Sequence, residues 1–308
     1  MITALKIEKL VNGSLNGDKN LIIKGAYDLI PGKKSCISFL NDSLGAELLD
    51  TSKSDLIVVS DKINFNKTNK SILIVKNPKT SFFKIVKHFF NLDINRIKKG
   101  IDKTAKISEN VVLGTNVSIG SNVIIERKST IESGVSIGAN TYVGENTVIG
   151  KNSIIHPNVT IYNDIKIGKN VIINSGSILG ASGFGIINDN GEIIQVPHVG
   201  TIIIEDDVVI GAGCTVDRAT MNKTHIGQGT KIDGQVHIAH NVKIGNNCII
   251  AGQSAIGGSS QLGNNVILGG QVGVIDNLTI GDNCKVAAKS AVMKSLDKNM
   301  IVSGIPAI

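Results

Sequence analysis

The sequence has 308 residues, is 42% hydrophobic and carries a formal net charge of +7. That length accommodates one elongated domain plus a smaller one, and the apolar share excludes a disordered chain. The positive charge lies in short pairs, Trp is absent and no recognition motif occurs, so nucleic-acid binding is not expected. The surplus reads as a lysine-rich surface, or as attraction for a pyrophosphate or an acidic protein.

No stretch approaches ~18 uninterrupted apolar residues, and the opening MITALKIEKLVNG lacks the continuous apolar run of a signal peptide. The expectation is a soluble, cytoplasmic protein with no transmembrane segment. Cys36, Cys214, Cys248 and Cys284 form no CxxC pair and no zinc spacing, so free thiols are predicted, with no metal, disulfide framework or cofactor.

Residues 1–98 read as a small mixed α/β domain. LKIEKLV predicts a helix, DLIVVS and SILIVK predict strands, and SFFKIVKHFF after Pro78 predicts a second helix capped at Thr80 or Ser81. The junction falls at Lys98 to Gly100.

Residues 99–308 follow a different rule. From Ile101 to Leu179 an aliphatic residue recurs at every sixth position, and a small or β-branched one (Val111, Val117, Val123, Ser129, Val135, Thr141, Thr147) stands four places after it. Both positions are expected to point inward. A six-residue period is neither helical nor simple strand alternation; it matches the hexapeptide β-helix repeat, with eighteen residues per triangular coil. The register breaks over about 180–203, where a loop is expected to project, and resumes at Ile204, Ile210 and Val216. A slip around Ala219 to Lys223 moves the phase to Ile226, after which it holds to Val286. About 28 hexads at ~4.8 Å per stacked strand give a prism about 45 Å tall.

Residues eighteen apart lie directly above one another in such a prism. His240 and Gly258 have this spacing, each two places after its aliphatic residue (Ile238 and Ile256), so a base and a backbone N–H face outward on neighbouring coils. By position alone a histidine there more often decorates the surface, but VHIAHN brings a second one, His237, which reads as structural or as an auxiliary contact.

TVDRAT, IDGQVHIAHNVKIG, AGQSAIGGSSQLG and the inserted GASGFGI resemble the UDP-3-O-acylglucosamine N-acyltransferase family of lipid A synthesis. LVNGSLNGD, CISFL, DLIVV and ILIVKNP extend the resemblance to the family's uridine-binding first domain, so it covers nearly the whole chain. The resemblance implies a mainly β fold, with left-handed winding of the parallel β-helix behind the small N-terminal α/β domain. It implies transfer of a 3-hydroxyacyl chain from acyl carrier protein to the 2-amine of UDP-3-O-acylglucosamine, with no covalent intermediate. His240 then corresponds to the general base, a role that suits an imidazole titrating near neutrality. Gly258 corresponds to the residue whose N–H meets the oxyanion.

Phe39 corresponds to the aromatic that stacks on uracil, although alone it reads more readily as a core residue, and Asn41 to the base-reading amide. Leu44 stands about where a second aromatic is common. Asn277 replaces the family's second histidine; it can hydrogen-bond substrate but cannot carry charge, and Asn277 and His237 complete the expected substrate contacts. In AVMKSL, Ala291 and Met293 correspond to the acyl groove, with Met293 either a chain-length ruler or a packing residue, and Lys294 to a contact for the carrier protein. The family also implies a homotrimer, and a helical extension beyond the position of SGIPAI that serves carrier binding. The alternatives are an acetyl-CoA-dependent acetyltransferase on a nucleotide sugar, and a non-catalytic β-helix scaffold.

Overall fold

In the first unit, residues 1–94, the apolar run LIVVS forms a strand, Leu56–Ser60, that is buried at every position. A strand covered on both faces must be apolar throughout instead of alternating. It is the centre of a five-stranded sheet, between Cys36–Phe39 and Ser71–Val75, with Gly25–Ala26 and Ser14–Asn16 at the edges. Only Ser14–Asn16 pairs antiparallel. Leu56 and Val58 pack with Ala4 and Ile7 of helix α1 (Ala4–Val11) and with Phe82 and Ile85. Ile57 and Val59 face the other way, onto Leu29, Leu40 and Leu49, the last on the short helix α2 (Leu48–Thr51). The computed structural model describes residues 2–40, 45–65, 68–90 and 97–308.

Phe82 and Ile85 belong to helix α3, Pro78–Phe89, which starts earlier than expected. Its cap is Asn77, whose side chain accepts the Thr80 N–H at 3.2 Å, and not Thr80 or Ser81. Proline occupies the first helical position, where its missing N–H would be unpaired in any residue.

The second unit, residues 95–308, is the expected parallel β-helix. Two-residue strands stack into three parallel sheets of nine, eleven and ten strands, and the eighteen-residue repeat is the pairing register, as in Ile125 with Val143 and Val143 with Ile161. The hexad aliphatics from Ile119 to Val302 line one continuous core, each contributing on the order of 1.5–3 kcal/mol by burial.

The position four places on also points inward. Its hydroxyls are satisfied by the next coil: Ser129 Oγ donates to Gly144 O at 2.9 Å, and Ser254 Oγ to Gly269 O at 3.0 Å. Cys214, Cys248 and Cys284 are all at this position, buried and unbridged, with Sγ on carbonyls of Asp233, Gly263 and Asp297. They are serine-like packing groups, and burial pushes the Cys214 and Cys248 thiols above their usual range.

Corners are made three places after each aliphatic, where Asn116, Asn122, Asn140, Asn146 and Asn158 adopt φ between 55 and 60°. Asparagine tolerates this left-handed region better than most residues. Its amides also ladder between coils, as Asn122 to Asn140 at 3.2 Å and Asn283 to Asn299 at 3.0 Å.

The register break is shorter and more ordered than a plain loop. Prism strands run to Ala181 and restart at Thr201. Between them Ile186–Asp189 and Glu192–Gln195 form an antiparallel hairpin. Its turn, Asn190-Gly191, has both φ values positive (52° and 91°), the two-residue turn whose twist matches paired strands.

One buried residue beside the core is sensitive to pH. His156 is 8% exposed, and burial holds its imidazole below the usual range. The folded state therefore binds fewer protons than the unfolded one, so its contribution is present above the unfolded pKa of ~6.5 and is lost as pH falls through and below that value. Thermal melts should show a smaller drop between pH 7 and 5 for His156→Asn, the residue type found one coil on at Asn174, than for the wild type.

Among the described residues, no helix is long and apolar enough to cross a membrane.

Candidate active site

Parallel pairing places Val216, Ile238, Ile256, Val274 and Val292 above one another. The residues beside them form rows along the prism. Immediately before the aliphatics run Thr215, His237, Ala255, Gly273 and Ala291. One place after them run Asp217, Ala239, Gly257, Ile275 and Met293, and two places after run Arg218, His240, Gly258, Asp276 and Lys294. His237, His240, Gly258, Ala291, Met293 and Lys294 are thus gathered on one sheet edge and its corner. Asn277 follows Asp276 at that corner, and its N–H donates to Gly258 O at 2.9 Å.

His240 packs directly on Gly258, since a Cβ added at Gly258 would lie 2.7 Å from His240 Nε2. Asn241, which the sequence reading passed over, orients the ring. Its Oδ1 accepts the Thr220 N–H at 3.0 Å, which fixes that atom as oxygen, and the same Oδ1 lies 3.0 Å from His240 Nδ1. An oxygen acceptor there requires the proton on Nδ1, so in the neutral ring Nε2 carries the lone pair, facing Gly258.

The Gly258 N–H is open. At some equivalent corners the N–H is capped by a side chain of an adjoining coil, as Asn246 by Asn264 Oδ1 at 2.8 Å and Gly252 by Asp233 Oδ2 at 3.1 Å, and at others, such as Gly270, it is not. Among the described residues nothing takes the N–H of Gly258. Asp276, which stands above it, is engaged instead by Asn277, whose Nδ2 donates to Asp276 Oδ2 at 2.9 Å.

The inserted segment folds onto this corner and brings a residue that lies outside the hexad periodicity. The His198 ring stands edge-on to His240 with centroids 4.9 Å apart. Gly183 lies against both rings; a Cβ there would come 2.7 Å from His240 Cβ and 2.8 Å from His198 Nε2. Arg218 ties the segment down through Gly180 O and Asn163 O, each at 2.8 Å. His237 is exposed, with Nδ1 2.7 Å from Thr215 Oγ1 and Nε2 3.7 Å from the buried Asp217.

Further along the row, a Cβ at Gly273 would meet nothing within 4 Å, while Met293 is 50% exposed and Lys294 fully on the surface. In the first unit Phe39 is half-buried, its ring centroid 4.9 Å from that of Phe82 and 6.1 Å from that of Phe83. Asn41 and Leu44 lie outside the described residues.

Comparisons with known proteins agree with this architecture. The family described as bacterial transferase hexapeptide (six repeats) matches residues 116–151, 128–163, 146–181 and 223–258, and the hexapeptide repeat of succinyl-transferase matches 201–233 and 261–292. Among solved structures the chain is similar to an Arabidopsis UDP-N-acetylglucosamine acyltransferase, with a TM-score of 0.62 and 24% identity over 68% of this chain and 72% of that one, a likeness of fold. The UDP-3-O-acylglucosamine N-acyltransferase of Christiangramia forsetii is 42% identical over 84% of this chain and 76% of its own length. That of Geobacter sp. strain M21 is 47% identical over 84% and 74%. At this identity and coverage the chain belongs to the UDP-3-O-acylglucosamine N-acyltransferase family.

Proposed function

We propose that this N-acyltransferase moves a 3-hydroxyacyl group from an acyl carrier protein thioester to the 2-amine of UDP-3-O-acylglucosamine, in lipid A biosynthesis. The family and the names of its members support the acceptor and the reaction class. The observation that carries the mechanism is the stacked pair at the corner: a histidine lone pair aimed beside an uncapped glycine N–H.

In this mechanism His240 Nε2 accepts a proton from the amine as nitrogen attacks the thioester carbonyl, general base catalysis worth roughly 10²- to 10⁴-fold. The Gly258 N–H donates to the oxygen that becomes negative. The tetrahedral centre then collapses, the C–S bond breaks, and the thiolate takes the proton from His240. The acyl chain follows the row of small residues Ala255, Gly273 and Ala291 towards Met293. Gly273 leaves open space where a side chain would stand, which disfavours a site built for acetyl groups alone.

Lys294, on the surface, is assigned to the acidic carrier protein, and His237 and Asn277 to polar groups of the substrate. The uridine is assigned to the first unit, with Phe39 as the stacking ring and Asn41 as base reader. A cyclic homotrimer is part of the proposal. It is supported by the apolar side chains that the inserted segment leaves uncovered on a single copy, with Phe184 85% and Ile193 72% exposed. The test is mass spectrometry of UDP-3-O-acylglucosamine incubated with 3-hydroxyacyl carrier protein and the enzyme. Addition of one acyl group at nitrogen is expected, and none with purified, folded protein would sink the assignment.

A further inference from the structure

The corner that holds His240 contains more proton acceptors than a single general base accounts for. Asp217 is 7% exposed, and among the described residues its carboxylate receives no hydrogen bond; its one charged neighbour at ion-pair distance is His237, whose Nε2 stands 3.7 Å away, too far to donate. A largely buried carboxylate that accepts no hydrogen bond gains from a cation placed against it. Arg218, its chain neighbour, does not supply it, since the guanidinium turns to Gly180 O and Asn163 O.

A second acceptor stands close by. His198 Nδ1 lies 2.9 Å from Val196 O, and since a carbonyl only accepts, Nδ1 carries the proton and Nε2 the lone pair of the neutral ring. That Nε2 is buried with no partner. With His240 Nε2, the cluster offers three acceptors, and the open donor beside them, the Gly258 N–H, is assigned to the oxyanion. The complementary ligand group is a small cation bearing several N–H bonds, which describes a primary ammonium.

We infer that Asp217 receives the acceptor sugar's amine as its ammonium ion and takes the first of the two protons that must leave that nitrogen. This rests on the proposal that the acceptor is an amine. The protons balance: the ammonium passes one proton to the Asp217 carboxylate and becomes a free amine. The amine then forms the C–N bond while His240 takes the second proton; that proton leaves with the thiolate as the C–S bond breaks, and Asp217 returns its own to solvent. A hydroxyl acceptor carries no charge and has one proton to lose, so the same carboxylate selects for nitrogen. Burial pushes the Asp217 carboxyl above its usual range, opposed by His237, His240 and His198, and a carboxyl so placed is a better proton acceptor. Those three histidines and Arg218 are the ionisable groups around it.

The test measures kcat/KM against pH for wild type and Asp217→Asn, together with equilibrium binding of UDP-3-O-acylglucosamine and of its N-acetylated, uncharged analogue. At pH 6.5 the variant should be about 10²-fold slower. By pH 9, where the amine arrives already uncharged, the deficit should shrink to within roughly 10-fold. Binding of the amine should weaken while the N-acetylated analogue binds as it does to wild type, which also shows the variant is folded. A deficit equal at every pH, or equal weakening of both ligands, overturns the inference. A wild type that binds neither ligand and forms no amide at any pH overturns the proposed function as well, a result distinct from both.

Discussion

His240→Ala is expected to lower kcat for amide formation by about 10²- to 10⁴-fold, with KM for the sugar nucleotide changed much less. Three hydrogen-bonding groups prepare the base. The Thr220 N–H fixes Asn241 Oδ1, Asn241 Oδ1 fixes the proton on Nδ1, and Nε2 is thereby presented as a lone pair next to Gly258. Alanine removes the acceptor but leaves the Gly258 N–H and the rest of the corner, so residual turnover above the uncatalysed rate should persist. Steady-state rates by mass spectrometry, with a thermal melt as control, decide it. A kcat within about threefold of wild type would take His240 out of the chemistry, since a lost general base costs far more.

Gly258→Ala should be nearly as damaging for a different reason. The new Cβ would sit 2.7 Å from His240 Nε2 and 2.8 Å from Cε1, closer than carbon and nitrogen tolerate, so the ring has to move. Misplacing a reacting group by about 1 Å can cost about 10²-fold, and that loss in kcat is expected here. Gly258 does not hold a positive φ, so alanine adds no backbone strain and the melting temperature should change little. Gly270→Ala, whose Cβ would meet only Gly252 O at an ordinary 3.5 Å at the equivalent corner of another sheet, is the control and should retain kcat. Equal losses in the two variants would mean that general disturbance of the prism, and not the position of the base, sets the rate.

The prism was legible because its rule is local and repeated. One inward aliphatic every six residues states the strand, the core and, through the eighteen-residue coil, the neighbours of each residue. That rule alone stacks His240 on Gly258. The asparagines three places after each aliphatic were equally regular and mark the left-handed corners, a signal the aliphatic count alone passes over. The Asp-Asn-Gly run at 189–191 carried the hairpin in the same way, and Asn77 before Pro78 carried the helix cap.

What stayed hidden depends on contacts that no period encodes. His198 lies in a segment outside the repeat, and only folding brings its ring against His240. Asn241 was adjacent to the candidate base, but its role rests on Thr220, twenty-one residues earlier. Asp217 had one visible mark: in the row Asp217, Ala239, Gly257, Ile275, Met293 it is the single charged residue. A charge in a row otherwise small or apolar was the sign of a buried group waiting for a partner.

The coils touch only their neighbours in sequence order, so the prism can fray from an end one coil at a time. In the sheet that carries the corner, the order from the C-terminal end is Ala291, Gly273, Ala255, His237 and Thr215. Peeling the outermost coil would release Ala291, Met293 and Lys294 while the coils of His240 and Gly258 remain paired. Mild denaturation, or a destabilising change near that end, would therefore blur the choice and docking of the acyl donor before it touched bond formation, leaving a slower-selecting but still competent catalyst.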